Sequence, residues 1–315
     1  MHTEVRAFVG RAVWFVLIGL VIYGAVYAAN ERVIAQHAQR NRFFAIKNAP
    51  HDRYDYVILG ASHAAVFGYR DMNTRLEQMT GARIMNLSVV GGGVMVARLL
   101  MEYFLARHDV GTVVYVVDSF AFYSSRWNEG RLQDTALYAR APFDPMLAAL
   151  LVRNPVTRTA GLDYVVGFSK INNPDRFAPD VLPDEGNRFD RTYRPVPQID
   201  RERINYLYPQ GADARVRDRS LNELEALIAS LQGRGVRFIA IKPPIPSRMQ
   251  ALLPLEDGFN ATIRRVFERR GVAFHDLSGV ANEDRHFYDT DHLNRAGVLR
   301  FFETALVPVL KYSTN

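Results

Sequence analysis

No cysteine occurs in the 315 residues. Disulfides, thiolate metal sites and cysteine nucleophiles are therefore excluded, and an oxidising compartment such as a bacterial periplasm is permitted without being required. Lysine is nearly as scarce, with only Lys47, Lys170, Lys242 and Lys311, so the net charge of +6 comes almost wholly from arginine. Guanidinium forks suit carboxylate and phosphate groups, such as those of an anionic glycan or a lipid head group; a genome-driven preference for Arg over Lys accounts for the same composition. No basic run is interleaved with aromatics, which argues against nucleic acid as a partner. Internal repeats and low-complexity tracts are missing too.

Long apolar runs are absent, with one exception. AVWFVLIGLVIYGAVYAA, residues 12–29, is eighteen consecutive residues without a charge, about 27 Å of helix and enough to cross most of a bilayer core. Arg6 and Arg11 precede it, and ten residues cannot form a cytosolic domain, so the N-terminus is expected inside and the bulk exported; Arg32, Arg40 and Arg42 oppose this on charge. A cleaved signal peptide competes, with Val26, Tyr27 and Ala28 as a cleavage site, but the run exceeds the usual h-region. The expectation is a single-pass protein of a bacterial inner membrane: an anchor at 1–30, a partly helical linker at 31–52, and a periplasmic domain at 53–315.

What remains is 48% hydrophobic overall, ample for a sizeable core. YDYVILG (54–60), RIMNLSVV (83–90), TVVYVVD (112–118), VRFIAIKPP (236–244) and VAFHDLS (272–278) read as buried strands. Helix-period segments at 93–108, 218–235, 260–271 and 294–310 alternate with them. Near-continuous apolar strands separated by helices imply a parallel five-stranded sheet covered on both faces, a three-layer α/β/α sandwich of flavodoxin-like kind. Residues 119–217 break the alternation with Pro, Asn, Asp, Arg and aromatics including Phe120, Trp127, Tyr206 and Tyr208. An insertion between two sheet strands lies beyond the strand ends, where open α/β sheets bind ligands, so it is expected as a lid or substrate surface.

Three short stretches carry candidate chemistry. LGASHA (59–64) places Ser62 at the end of the first strand, opening a helix, where its hydroxyl is exposed in the crevice and its N–H joins the positive helix end; serine is also a common N-cap. FYDTDHLNRAG (287–297) places Asp289 three residues before His292, a spacing that lets the carboxylate hold Nδ1–H and leave Nε2 as a base. A turn with Asn294 as helix cap is the competing reading of that stretch, and for Asn294 it is preferred. NLSVVGGG (86–93) offers Gly91, whose N–H can join that of Ser62 in an oxyanion hole, or it is only a flexible turn. Asp289, Asp291 and His292 could ligate a cation, but adjacent Asp291 and His292 in an extended loop should point apart, so no metal and no organic cofactor is expected. His63 is expected on a helix surface, His275 packed in its strand, and KPPIPSR (242–248) as a proline loop.

In these blocks the sequence resembles an SGNH (GDSL-type) hydrolase. That family has a serine in a Gly-Asp-Ser block after the first strand, a glycine in an Asn-x-x-x-x-Gly block after the second, and Asp-x-x-His before the last helix; here these match Gly60-Ala61-Ser62, Asn86 to Gly91, and Asp289 to His292. The resemblance implies Ser62 as nucleophile, His292 as base, Asp289 as its orienter, and the Ser62 and Gly91 amides as oxyanion donors. It covers about residues 54–118 and 236–310 and departs in two places. Ala61 replaces the aspartate, and the third block, normally Gly-x-Asn, is VVDSFAF: Asp118 and Ser119 are the nearest polar residues and the candidates for a place at the oxyanion, an ionised Asp118 would repel it, and the hole is then short of one donor or filled from the insertion. The anchor and HLNRAG are also similar to membrane-anchored members that acylate teichoic acids or exopolysaccharides. That likeness implies a serine acyltransferase or esterase with an acyl donor and a glycan acceptor, and a membrane acyl-transfer protein as a further partner. A degenerate, non-catalytic domain that binds glycan or scaffolds an envelope complex is the alternative.

Overall fold

The computed structural model describes residues 2–38, 40–177, 185, 187–209 and 211–312. Along the chain run α1 (His2–His37), β1 (Arg53–Leu59), α2 (Ser62–Ala65), β2 (Ile84–Asn86), α3 (Val94–Leu105), β3 (Asp109–Val116), α4 (Pro145–Arg153), α5 (Arg158–Val166), α6 (Pro197–Leu207), α7 (Ala214–Gln232), β4 (Arg237–Lys242), α8 (Glu256–Arg270), β5 (Ala273–Asp276) and α9 (Arg295–Phe301), with shorter helical turns between them. Two compact units emerge, Met1–Ala45 with Asp134–Asp180, and Ile46–Gln133 with Val181–Asn315.

The larger unit holds the sheet, in the order β2-β1-β3-β4-β5 and parallel throughout. All five strands fall where apolar runs stand in the sequence, because a strand buried on both faces needs apolar residues at successive positions rather than alternate ones. Tyr56, Ile58, Val114, Val116, Ile239 and Ile241 turn to one face, packing with Ala65, Phe67, Phe301 and Phe302. On the other, Tyr115 stacks with Phe238 at 6.1 Å, and α3, α7 and α8 cover them. The result is the three-layer α/β sandwich. Strand order reverses between β1 and β3, and the crevice at the carboxyl ends of those strands is where open sheets of this kind bind ligands.

The smaller unit joins α1 to the middle of the insertion. α1 is long and apolar enough to cross a membrane, and its apolar stretch is exposed. The stretch 31–52, which reads as a linker, is helical to His37 and again over Arg42–Lys47. Lys170 is 1% exposed, and its Nζ lies 2.7 Å from Glu31 Oε1 and 4.1 Å from the Tyr164 ring centre. A buried lysine is tolerated only when paired in this way.

Candidate active site

A cavity of about 370 Å³ opens at the carboxyl end of the sheet, lined among others by Ser62, Gly91, Trp127, Arg203, Tyr206 and His292. Ser62 is delivered by β1, which ends at Leu59, and by the turn Gly60-Ala61. Gly60 has φ +150°, and a Cβ there would lie 2.9 Å from Val116 Cβ, so only glycine lets β1 turn this close to β3. α2 has four residues, so the long helix dipole expected behind Ser62 is absent and the serine's own N–H is the local donor. Asn86 braces this turn from β2, donating to Ala64 O at 2.8 Å and accepting from Ser88 N at 3.0 Å.

Gly91 sits at φ +68°, and a Cβ would meet the Trp127 ring at 3.2 Å. The glycine is thus required both by backbone conformation and by the tryptophan pressed against it. Neither the Ser62 nor the Gly91 amide is spent on a backbone hydrogen bond among the described residues outside regular elements.

The Asp-x-x-His loop is tightly self-bonded. Asp289 accepts from His292 Nδ1 at 2.9 Å and 3.0 Å and from the His292 amide at 2.8 Å, and the His292 ring stacks on Tyr288 at 5.7 Å. Because a carboxylate can only accept, Nδ1 carries a proton, and in the neutral ring the lone pair is then on Nε2. Nε2 is buried without a hydrogen-bond partner, so the bond to Ser62 is not made in this conformation. The Asp289 carboxyl is held below its usual range: burial opposes this, but His292 beside it prevails. Asn294 caps α9 as expected, its Oδ1 accepting from Gly297 N at 2.9 Å.

Four expectations are overturned. His63 is not on a surface but 6% exposed, with Nδ1 donating to Asp118 at 2.5 Å and Nε2 3.4 Å from Asp291 Oδ2. Burial alone would lower the His63 pKa, yet Asp118 and Asp291 outweigh it and raise the value to about 10, so the ring is a cation. Second, Asp118 and Ser119 do not line the Ser62 cavity; they line a separate pocket with His63 and Lys242, and Ser119 Oγ hydrogen-bonds the Tyr208 hydroxyl at 2.9 Å. The third block is therefore turned away from any oxyanion at Ser62. Third, Asp291 and His292 do not point apart, since His63, Asp291 and His292 bring ligand-type atoms within 4.8 Å of one another. The Asp291 oxygens among them are already engaged, however. Both oxygens of Asp291 accept from Arg203 Nε at 3.0 Å, Oδ1 also from Thr290 Oγ1 at 2.7 Å, and a metal would have to displace a guanidinium beside a cationic His63. Burial would raise the Asp291 pKa, but His292, Arg203 and His63 hold it well below the usual range. Fourth, His275 is only half-buried, on the edge strand β5.

The sheet order is that of an open parallel α/β fold with its switch point between β1 and β3, and Ser62, Gly91 and His292 line one cavity. No family model matches the chain, and no curated protein does. Among solved structures, the chain is similar to a Bacteroides fragilis protein named as an acylhydrolase, at 10% identity and TM-score 0.41 over 84% of this chain and 90% of that one. A Streptococcus pneumonia protein named as a platelet activating factor matches at 12% identity and TM-score 0.43, over 94% and 99%. A GDSL-like lipase from Bacteroides thetaiotaomicron matches at 9% and 0.43, over 86% and 98%.

In the Ser62 cavity, the sequence reading missed Arg203 and Arg188. Both come from the insertion, and no local pattern distinguishes them from its many other arginines. Trp127 and Tyr206, visible only as insertion aromatics, contact each other at 5.3 Å, and the Arg126 guanidinium lies 4.8 Å from each ring centre.

Proposed function

We propose that the protein is a membrane-anchored serine acyltransferase or esterase that works on O-acyl groups, of acetyl type, carried by a cell-envelope or exported glycan in the periplasm. The observation that carries this reading is His292, oriented by Asp289 at Nδ1 and left with a free Nε2, in one cavity with Ser62 and Gly91. Ser62 Oγ attacks the acyl carbonyl while His292 Nε2 takes its proton. The tetrahedral oxyanion is held by the Ser62 and Gly91 amides. Collapse expels the donor alcohol, protonated by His292, and leaves an ester on Ser62; a sugar hydroxyl or water then attacks it by the reverse of these steps. The aromatic and arginine lining of the cavity supports a polar, glycan-sized substrate over a lipid chain.

The third block favours a second reading, a non-catalytic glycan-binding or scaffold protein, because Asp118 is committed to His63 and brings no donor to Ser62. A fluorescent serine-reactive phosphonate, applied to the full chain in detergent and followed by mass spectrometry, separates the two. Labelling is expected at Ser62, absent in Ser62→Ala, lost in His292→Ala, and slowed about 10³–10⁴-fold in Asp289→Asn. A folded protein that never labels would support the scaffold. Acyl release from a labelled donor that requires a glycan acceptor marks a transferase, whereas equal release into buffer marks an esterase.

A further inference from the structure

α5 has two unlike faces. Ala160, Gly161 and Tyr164 are buried, and Gly161 lies against α4 so closely that a Cβ would stand 2.8 Å from Leu151 Cβ. Leu162, Val165 and Val166 share the opposite face at i, i+3, i+4 spacing, and Phe168 follows them; their exposures are 54%, 43%, 55% and 63%. Single exposed apolar side chains are ordinary, but a grouped stripe on one helix marks a contact surface.

The chain itself shows what that surface meets. Tyr23 donates its hydroxyl to Val166 O at 2.9 Å, and Gly167 at φ +82° packs so tightly on Tyr27 that a Cβ would lie 2.1 Å from its ring. Tyr23 and Tyr27 belong to the uncharged stretch 12–29, so the stripe is pinned beside the last part of the span, the depth at which tyrosines mark membrane interfaces. Beside the stripe, Lys170 is buried and paired with Glu31, which also accepts from Phe143 N at 2.6 Å. An apolar face fixed at that depth suits lipid.

We propose that Leu162, Val165, Val166 and Phe168 form a second membrane contact, lying in the headgroup and acyl boundary of the same phospholipid bilayer that α1 crosses. The inference rests on α1 as a membrane span. The anchor then cannot turn freely in the membrane, because a second element shares the bilayer with it.

The natural lack of cysteine makes the test direct. Single variants Leu162→Cys, Val165→Cys and Phe168→Cys of the full chain are nitroxide-labelled, reconstituted into phosphatidylcholine and phosphatidylglycerol vesicles, and compared by oxygen and nickel-chelate accessibility. Leu20→Cys in α1 reports the span, and Arg215→Cys, whose native side chain is 93% exposed, reports water. The three α5-region labels are expected about 5–10 Å below the phosphates, open to oxygen and shielded from nickel. Nickel access equal to that at position 215, with position 20 still deep, would overturn the inference and leave the span intact. Aqueous readings at position 20 as well would overturn both. Shielding from oxygen and nickel together would overturn lipid in favour of a protein partner.

Discussion

Two histidines with ring centres 5.0 Å apart do different work because their carboxylate surroundings differ. His292 has both of its carboxylates on Nδ1, Asp289 at 2.9 Å and Asp291 at 3.5 Å, and its Nε2 is left without a hydrogen-bond partner. His63 lies between Asp118 and Asp291, which keep it protonated up to about pH 10. His63 is therefore a structural cation that ties the end of β3 to the loop carrying His292, and it cannot serve as the base. A folded-state pKa above the unfolded value of about 6.5 means that its stabilisation is complete below pH 6.5 and lost as pH rises through about 10. Thermal unfolding of the full chain in detergent should show the melting temperature falling between pH 7 and 10.5, with His63→Gln less stable at pH 6.5 and flatter across that window. Parallel curves for the two proteins would refute the role. The i, i+3 pairing of Asp289 and His292 was legible in sequence because both partners lie in one turn. The His63–Asp118 pair spans 55 residues and exists only because β1 and β3 are neighbours.

Among the elements, the loops after the strands carry the site, and remote arginines hold them. Arg248, from the proline loop after β4, donates to Thr290 O at 2.9 Å and to Asp200 and Asp284 at 2.6 Å and 2.8 Å, while Arg203 of α6 grips Asp291. The turn after β2 depends on Gly91 instead. Gly91→Ala forces a β-carbon into left-handed backbone and against Trp127. It should cost about 1–3 kcal/mol of stability and reduce phosphonate labelling of Ser62 by more than about tenfold through loss of the oxyanion amide. Denaturant midpoint, tryptophan fluorescence and labelling rate check this together, and an unchanged rate would remove Gly91 from the oxyanion hole. The five strands were readable as apolar runs and the helices that cover the sheet from their 3.6-residue period, whereas the helices Pro145–Arg153, Arg158–Val166 and Pro197–Leu207 of the insertion were not. The third block was not, since its departure from the family pattern showed that a donor was missing without showing that Asp118 faces another pocket.

In the whole molecule, the proposed function assigns location to one apolar helix and chemistry to the sheet unit. If the sheet unit is exported, Glu303→Cys, at an exposed position, should react with a membrane-impermeant maleimide from the periplasmic side of intact cells with a permeabilised outer membrane. Reaction only after lysis would place the unit in the cytoplasm. Sequence alone determined the candidate span, the parallel α/β sheet and the Ser62, Gly91, Asp289 and His292 blocks, because each depends on local hydrophobic patterning or on residues within a single turn. Tertiary structure decided the rest: the burial and charge of His63, the clamp of Arg203 on Asp291, the turning away of Asp118, and the grouping of residues 134–180 with α1. Those are pairings between segments far apart in the chain, where strand order and packing, rather than spacing, choose the neighbour.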